Sequence, residues 1–351
     1  IDNDLSKIEK RKPVEKPDFN IQLLDPFPKD YEKYYDDNFG MRKPYLKAFT
    51  YLNFKYFKRT APGSKVVIGK DSWMFKVRSM LPSTADTVRY TDKQLRLFRN
   101  ELRKRRRYYD SVGVDWYLII VPSKPSAYHD KVPAQYAVRG RSYKSKVDQF
   151  VQMANEHGLS DNILYLKDTI IAKRGAHPLF FKIDHHWNRL GAFYGASTIL
   201  NFIQKNNPNV QNRLNFDNYT LSWDSRNSGN LSSAYGGFKF ITDSLPVLEP
   251  GSRVPEVKKG KNRGYKPPKH FAYKWLYEIV KKTDNSEAPK VLIIRDSFTN
   301  SLIPFLSTAF SETLYIWDGW RYKMNAEIVE KEKPDIMLTI VVETHITELI
   351  R

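Results

Sequence analysis

The sequence has no cysteine among its 351 residues. This absence excludes disulfide bonds, thiolate catalysis and any cysteine-ligated metal site. Long apolar runs are also missing, because no stretch approaches the about 18 residues that a membrane-spanning helix requires. Acidic residues are scarce relative to basic ones, with 39 Asp and Glu against 58 Lys and Arg.

The resulting formal net charge is +19, in a chain whose 41% hydrophobic and 28% charged residues are otherwise typical of a globular protein. Such an excess indicates an anionic partner, which could be a nucleic acid, an anionic polysaccharide or lipid headgroups. Charge alone does not choose among them. Because the sequence carries no nucleic-acid recognition motif and no aromatic platform, we do not expect nucleic acid.

Composition divides the chain into an arm and one domain. Residues 1–25 are polar with alternating charge and two prolines, Pro13 and Pro17, which is typical of an extended linker. The chain begins at Ile1, so we expect the arm to follow a removed signal peptide or membrane anchor. Residues 26–351 are predicted to form a single domain, with an irregular insertion at about 205–288 that is rich in Asn, Ser, Gly, Pro and Lys.

Strand-like and helix-like segments alternate toward the end of the chain. The expected strands are 116–121, 290–296, 312–317 and 335–342, and two helices are expected at 300–310 and 324–332. This alternation predicts an α/β fold with a central, mostly parallel sheet. Open sheets of this kind place their sites at the carboxyl ends of the strands.

Two short segments supply the parts of a nucleophilic site. Asp184 and His186 lie two residues apart in a segment predicted to be extended, so their side chains should share one face while His185 points to the other. Ser297 follows the strand-like run that ends at Asp296. A carboxylate, an imidazole and a hydroxyl are the components of a Ser-His-Asp acyl-transfer site. Taken alone, Ser297 is more often a helix N-cap than a nucleophile, and we expect His185 to be structural.

Six blocks along the chain carry a resemblance to a known family. They are residues 32–42, 68–75, 121–128, 181–188, 228–231 and 295–298. In this order they resemble the SGNH-hydrolase-like polysaccharide O-acetyltransferases of the alginate-acetylation type (AlgJ/AlgX-like), including the DHHW-motif proteins. Asn230 stands where the family's Gly-Asp-Leu segment has Asp, and no glycine precedes the Asp296-Ser297 pair. The resemblance implies an SGNH-hydrolase-like (flavodoxin-like) three-layer α/β/α domain with a permuted motif order.

The resemblance also implies roles for individual residues. Ser297 would carry the acetyl group as an ester, His186 would act as general base, and Asp184 would orient His186. The residues that could form an oxyanion hole or contact substrate are Gly229, Asn230, Arg295, Lys124, Tyr128 and Trp187. No metal and no soluble cofactor is implied.

The function implied is acetyl transfer to hydroxyls of an exported, anionic polysaccharide. A membrane-bound O-acyltransferase (MBOAT) partner would deliver the acetyl group, and the protein would be periplasmic or otherwise extracytoplasmic, tethered to the inner membrane. Two alternatives remain open. The same triad would serve a carbohydrate acetylesterase, in which water replaces the sugar as acceptor. A chain with a vestigial triad could instead be a non-catalytic glycan-binding subunit of an export or acetylation complex.

Overall fold

A computed structural model of the chain describes residues 12–59, 64–77, 89–136, 145–235 and 240–351. The α-helices described are α1 (Phe27–Asn38), α2 (Arg42–Leu52), α3 (Asp92–Ser111), α4 (Lys124–Ala127), α5 (Lys146–Glu156), α6 (Lys167–Lys173), α7 (Arg189–Gln204), α8 (Asn230–Tyr235), α9 (Ile303–Leu306) and α10 (Ala326–Glu332). The strands are β1 (Val66–Ile68), β2 (Met74–Lys76), β3 (Asp115–Val121), β4 (Ile163–Tyr165), β5 (Tyr219–Arg226), β6 (Asp243–Pro250), β7 (Lys258–Lys259), β8 (Glu278–Lys282), β9 (Lys290–Arg295), β10 (Glu312–Trp317) and β11 (Ile336–Val342). Within these described ranges, no helix combines the length and apolar character needed to cross a bilayer.

Seven strands form the central sheet, in the order β4-β3-β11-β9-β10-β8-β7. The strands from β4 to β10 pair in parallel, and β8 and β7 add antiparallel pairs at one edge. All of β11 is buried, and β3 is buried except at Asp115. Parallel strands show this burial when helices cover both faces of the sheet. The predicted α/β fold with a mostly parallel central sheet is confirmed.

Alternate residues of β3 enter separate hydrophobic cores on the two faces of the sheet. Ile119 and Val121 join the core that also holds α7, whereas Leu118 and Ile120 join the core that holds α3 and α5. The period-two alternation of a strand produces this division. The result is the three-layer α/β/α arrangement.

Helix α7 begins directly after the Asp-His-His segment and fixes the path of the chain there. Its N-cap is Asn188, whose Oδ1 accepts a hydrogen bond from the N–H of Gly191 at 3.0 Å. A Cβ atom on Gly191 would lie 2.3 Å from the carbonyl oxygen of Leu179. Only glycine therefore lets the first turn of α7 approach the incoming chain this closely.

The stretch 205–288 contains regular structure as well as loops. Strands β5 and β6 form a separate antiparallel pair. Strand β8 joins the central sheet through β10. The division into an arm at 1–25 and a domain at 26–351 stays a prediction, and residues 1–11 lie outside the described ranges.

Candidate active site

Ser297 lies just beyond the end of β9, at the carboxyl edge of the parallel sheet. The N-cap of the 3-10 turn Ser297–Ser301 is Asp296, whose Oδ1 accepts a hydrogen bond from the N–H of Phe298 at 2.8 Å. The capping role that was open to Ser297 therefore belongs to Asp296. The single helix predicted at 300–310 is wrong, because Pro304 has no N–H to continue a helix from the preceding turn.

Asp184 and His186 lie on a tight loop. An antiparallel bridge pairs Phe180 with Trp187, so the residues between them turn back on themselves. The ring of His185 lies against that of His186, with 3.9 Å between the ring centroids. The prediction that His185 points away from its neighbours is wrong, because it assumed a straight extended segment.

The loop and the turn after β9 bring three predicted site residues together. His186 Nε2 lies 2.8 Å from Ser297 Oγ, and His186 Nδ1 lies 2.8 Å from Asp184 Oδ1. Because the carboxylate accepts the Nδ1 proton, Nε2 is the ring nitrogen that accepts the hydroxyl proton of Ser297. Residues 111 positions apart thus adopt the arrangement of a Ser-His-Asp triad.

Asp184 is held in its ionised form. Burial by itself would raise its pKa, but hydrogen bonds from the ring and backbone N–H of His186 and from the N–H of Asn230 oppose this effect. The two backbone bonds are each 3.1 Å long. Together with the charge that the imidazole can carry, they hold the pKa of Asp184 well below its usual range.

Lys124 holds the backbone of the Asp184 loop. Its Nζ donates to the carbonyl oxygens of Met74, Lys182 and Asp184 at 2.6, 2.7 and 3.0 Å. Burial lowers the pKa of Lys124 to about 7, and the three carbonyl acceptors match the three N–H groups of its ammonium form. Lys124 borders the cleft, but its charged end is bonded to backbone and is not placed to contact substrate.

Three further candidates for substrate contact are buried, and their polar atoms form hydrogen bonds outside the cleft. Trp187 is fully buried, and its Nε1 donates to the carbonyl oxygen of Phe298 at 2.8 Å. The hydroxyl of Tyr128, also buried, accepts a hydrogen bond from the N–H of Leu179 at 2.8 Å. The fully buried Arg295 donates to a backbone carbonyl. All three stabilise the fold around the site.

The two oxyanion-hole candidates have other partners. The N–H of Gly229 donates to Ser232 Oγ at 2.9 Å, and the N–H of Asn230 donates to Asp184 Oδ2 at 3.1 Å. The side chain of Asn230 holds His185, since its Oδ1 accepts from the His185 N–H at 3.1 Å and its Nδ2 lies 2.5 Å from His185 Nδ1. Gly229 and Asn230 thus support the Asp184 loop.

His185 is the site residue that sequence reasoning missed. Burial and the neighbouring His186 lower the pKa of His185 to about 4, so its ring is neutral near pH 7. Because Nδ1 accepts from the Asn230 amide, the ring proton lies on Nε2, and His185 lines the cleft. The sequence signal for this role was Asn230, which stands where the family has Asp. An amide can donate a hydrogen bond to a neutral ring nitrogen, and a carboxylate cannot.

The cleft beside Ser297 has a volume of about 400 Å³. Lys76 lines it from β2, and His345 and Arg351 line it from the segment that follows β11. Glu348, on the same wall, forms an ion pair with Arg351 at 2.7 Å. The cleft therefore gives a ligand access to Ser297 past a mainly basic border.

Asp184, His185 and His186 also offer ligand atoms within 4.8 Å of one another, as a metal site would require. Both ring nitrogens of His186 and both carboxylate oxygens of Asp184 already take part in hydrogen bonds. A metal ion would have to replace the bond between His186 and Ser297 or the bonds that orient Asp184. The absence of a resident metal stays a prediction.

Comparisons with known proteins agree with this fold. Residues 66–246 match the model of the family described as "SGNH hydrolase-like domain, acetyltransferase AlgX". The chain is 26% identical over 163 residues to the probable alginate O-acetylase AlgJ of Pseudomonas aeruginosa, covering 46% of this chain and 38% of the relative. It is 26% identical over 164 residues to the protein of that name from Azotobacter vinelandii, covering 46% and 39%. The match thus spans only about two fifths of the length of these relatives.

Solved structures show the same architecture. Bacillus cereus PatB1 superposes with a TM-score of 0.57 at 16% identity, covering 82% of this chain and 99% of PatB1. A DHHW family protein from Eubacterium siraeum superposes with a TM-score of 0.54 at 16% identity, covering 83% and 95%. At these identities the likeness concerns the fold. Since the family match at 66–246 takes in just over half of the chain, this protein belongs to the SGNH hydrolase-like family of AlgX acetyltransferase domains.

Proposed function

We propose that this protein is a polysaccharide O-acetyltransferase that works through an acetyl ester on Ser297. The observation that carries the proposal is the pair of 2.8 Å contacts that link Ser297 Oγ, the two ring nitrogens of His186 and Asp184 Oδ1. Serine is a poor nucleophile until a base accepts its proton, and this geometry supplies that base in the correct tautomer. Family membership supports acetyl as the group transferred.

The reaction has two half-reactions. In the first, Ser297 Oγ attacks the carbonyl carbon of an acetyl donor while its proton passes to His186 Nε2, and the donor group leaves with that proton. In the second, a sugar hydroxyl gives its proton to His186 and attacks the ester carbonyl. Ser297 Oγ then departs and recovers the proton. Asp184 stabilises the imidazolium that forms in each half-reaction.

The oxyanion of each half-reaction needs hydrogen-bond donors. We assign one donor to the Nε2–H of His185, because Asn230 fixes that tautomer and His185 lines the cleft beside Ser297. A neutral imidazole can donate in this way without competing with His186 for a proton. Asn230 thus contributes through His185.

The basic border of the cleft supports an anionic acceptor. Arg351 also lines an adjacent cavity of about 510 Å³, whose other basic residues include Lys104, Arg321 and Lys323. Arg351 is ion-paired with Glu348, and Lys104 with Glu101. Lys76, Arg321 and Lys323 add further positive charge along a path from Ser297 past Arg351, which favours an anionic chain. The net charge of +19 agrees with this choice.

The resemblance to the family is what supports our proposal for the donor and the location. We propose an extracytoplasmic, periplasmic enzyme that is tethered to the inner membrane and receives its acetyl group from an MBOAT partner. The proposed half-reactions require no metal and no soluble cofactor.

The test uses a chromogenic acetyl ester with the full chain, in three reactions: no acceptor, an anionic oligouronate, and a neutral oligosaccharide of equal length. Ser297→Ala is compared with Ser301→Ala, a matched serine of the same turn. We expect acetylated oligouronate from wild type and Ser301→Ala, and none from Ser297→Ala. One relative, PatB1, has been solved with a sulfonyl adduct, so a sulfonyl fluoride is a suitable label for Ser297.

The other outcomes identify the alternatives. Free acetate as the sole product with every acceptor would assign an acetylesterase. Transfer to the neutral oligosaccharide alone would refute the anionic acceptor and keep the transferase. If the wild type neither turns over nor accepts the label, the glycan-binding subunit is the better assignment.

A further inference from the structure

Helix α2 and the π-helical turn that follows it, Asn53–Phe57, present an apolar stripe to solvent. Tyr45, Phe49, Leu52 and Tyr56 are 61, 48, 45 and 64% exposed. Their spacing of four, three and four residues puts them on one face of a helix. Helices of globular proteins normally turn such a stripe toward the core, so an exposed one indicates an interaction surface.

The opposite face of the same segment packs on the domain and fixes its orientation. Thr50 is buried, and the ring of Tyr51 lies edge-on to that of Phe240 with 5.2 Å between the centroids. The hydroxyl of Tyr235 donates to the carbonyl oxygen of Arg59 at 2.9 Å. The stripe is therefore held outward by contacts on both sides of the π-helical turn.

The charge of this segment restricts what can cover the stripe. Residues 39–59 contain six Lys and Arg and no Asp or Glu. Lys47, Lys55 and Lys58 are exposed, and the Nζ of Lys55 lies 5.6 Å from the ring centroid of Tyr56. A second copy of this chain would bring the same positive charge against it. An anionic surface is the complementary partner.

We propose that this face of α2 binds the surface of an anionic lipid bilayer. The side chains of Tyr45 and Tyr56 prefer the boundary between headgroups and acyl chains, where the rings are buried and the hydroxyl groups stay hydrated. Phe49 and Leu52 add apolar area that can enter the same boundary. Lysines beside such a stripe bind anionic headgroups. Among the residues that the structure describes, Phe39 stacks on Tyr45 with 6.2 Å between the ring centroids, and all four side chains of the stripe nevertheless stay exposed.

The position of this face relates it to the candidate active site. Phe54, on the inner side of the segment, lies against Tyr235 with 6.3 Å between the ring centroids. Tyr235 ends helix α8, which begins at Asn230, and Asn230 donates to Asp184. Bilayer binding would thus hold the domain that carries the cleft at a membrane surface, where a membrane-borne acetyl donor would lie, a consequence that rests on the proposed function.

The experiment is co-sedimentation of the full chain with vesicles of phosphatidylcholine alone or mixed with phosphatidylglycerol. The apolar variant is Tyr45→Ser/Phe49→Ser/Leu52→Ser, and the charge variant is Lys47→Gln/Lys55→Gln/Lys58→Gln. The control is Tyr273→Ser/Trp275→Ser, which removes two aromatic residues that are 53 and 72% exposed elsewhere. Each lysine near an anionic surface strengthens binding about fivefold, so the charge variant should bind phosphatidylglycerol vesicles about 100-fold more weakly.

We expect the apolar variant to lose at least about tenfold in affinity for phosphatidylglycerol vesicles and the control to bind like wild type. Equal binding by wild type and both triple variants would overturn the proposal. The proposal would also be overturned if the wild type did not bind vesicles but formed dimers that the apolar variant does not form. Hydrolysis of a chromogenic ester by both variants shows that they are folded. Loss of vesicle binding with retained ester turnover therefore separates this proposal from the proposed function.

Discussion

The Nζ atom of Lys124 lies 3.0 Å from the carbonyl oxygen of Asp184, and this contact ties the chain after β3 to the loop that carries Asp184 and His186. The same ammonium group also holds carbonyl oxygens of β2 and of Lys182. Three chain segments thus meet at one buried amino group. Its removal would leave three carbonyl groups without their donor.

We expect Lys124→Met to lower kcat about 100-fold and to change KM little, because Lys124 positions Asp184 and His186 without touching substrate. Steady-state kinetics of ester turnover, together with the rate of serine labelling, measure the effect. Lys131→Met is the matched control, since Lys131 forms an exposed ion pair with Asp71. An equal loss in both variants, or a loss confined to KM, would contradict the positioning role.

The pKa of His185 predicts how stability depends on pH. Its pKa is about 4 in the folded protein and about 6.5 in an unfolded chain, so between these values only the unfolded state binds the proton. Stability should therefore fall as pH drops from 6.5 to 4. About a third of the side chain is exposed (34%), so solvent screening limits the effect to about 1–2 kcal/mol. Urea unfolding at pH 6.5 and 4.5 measures it.

His185→Gln tests that assignment directly. Glutamine cannot gain a proton in this range. The free energy of unfolding should therefore change between the two pH values by about 1–2 kcal/mol less in the variant than in the wild type. Asp184 does not account for this difference. Its lowered pKa stabilises the folded state above the unfolded value of about 3.9, and that stability disappears only at lower pH. An unchanged pH dependence in the variant would exclude His185 as its source.

Asp296 is expected to support both the fold and the orientation of Ser297. Its Oδ2 accepts from the hydroxyl of Tyr322 at 2.6 Å and from the N–H of Val342 at 2.8 Å, in addition to the cap at Phe298. Asp296→Ala leaves these buried donors without an acceptor and should lower the free energy of unfolding by about 3 kcal/mol. Serine labelling should slow as well.

Tyr322→Phe provides the comparison, because it removes one of the three bonds and leaves the others. We expect it to cost about 1 kcal/mol and to leave the labelling rate near that of wild type. Chemical denaturation of both variants measures the change in the free energy of unfolding, and labelling kinetics measure the rate at which Ser297 reacts. If Tyr322→Phe lowered the free energy of unfolding more than Asp296→Ala, the Tyr322 hydroxyl would have to stabilise the fold through a group other than Asp296.

Gly229 should not tolerate a side chain. A Cβ atom there would lie 2.4 Å from the carbonyl oxygen of Ile183, which is backbone and cannot rotate away. We expect Gly229→Ala to shift Asn230 away from Asp184 and to reduce both stability, by about 2–4 kcal/mol, and ester turnover. Gly40→Ala is the control, because nothing lies within 4 Å of its added Cβ. Normal turnover in Gly229→Ala would disprove the tight contact.

The centre of the fold was predictable because the parallel strands β3, β9, β10 and β11 are largely apolar. The runs at 312–317 and 335–342 correspond to β10 and β11 almost residue for residue. Such runs are buried on both faces, and burial on both faces is what a parallel sheet between helices imposes. Asp184, His186 and Ser297 were also predictable as a group, since blocks of the family retain their order.

The remaining details of the site depend on tertiary contacts that no local pattern encodes. His185 turns toward the cleft because the bridge between Phe180 and Trp187 closes a loop around it. Gly229 and Asn230 face the Asp184 loop because α8 packs there, which removes their N–H groups from any oxyanion hole. Tyr128 and Trp187 carry polar atoms but are core residues, and burial of this kind follows only from the assembled fold.

The bond between His186 and Ser297 joins two stretches of chain that are 111 residues apart and share no strand pairing. Contacts of such sequence separation form only after the entropy of closing a long loop has been overcome. The reactivity proposed for Ser297 would therefore report complete folding. During refolding, the helical signal can return before Ser297 can be labelled. Partial unfolding of the Asp184 loop would abolish labelling of Ser297 while the sheet stays intact.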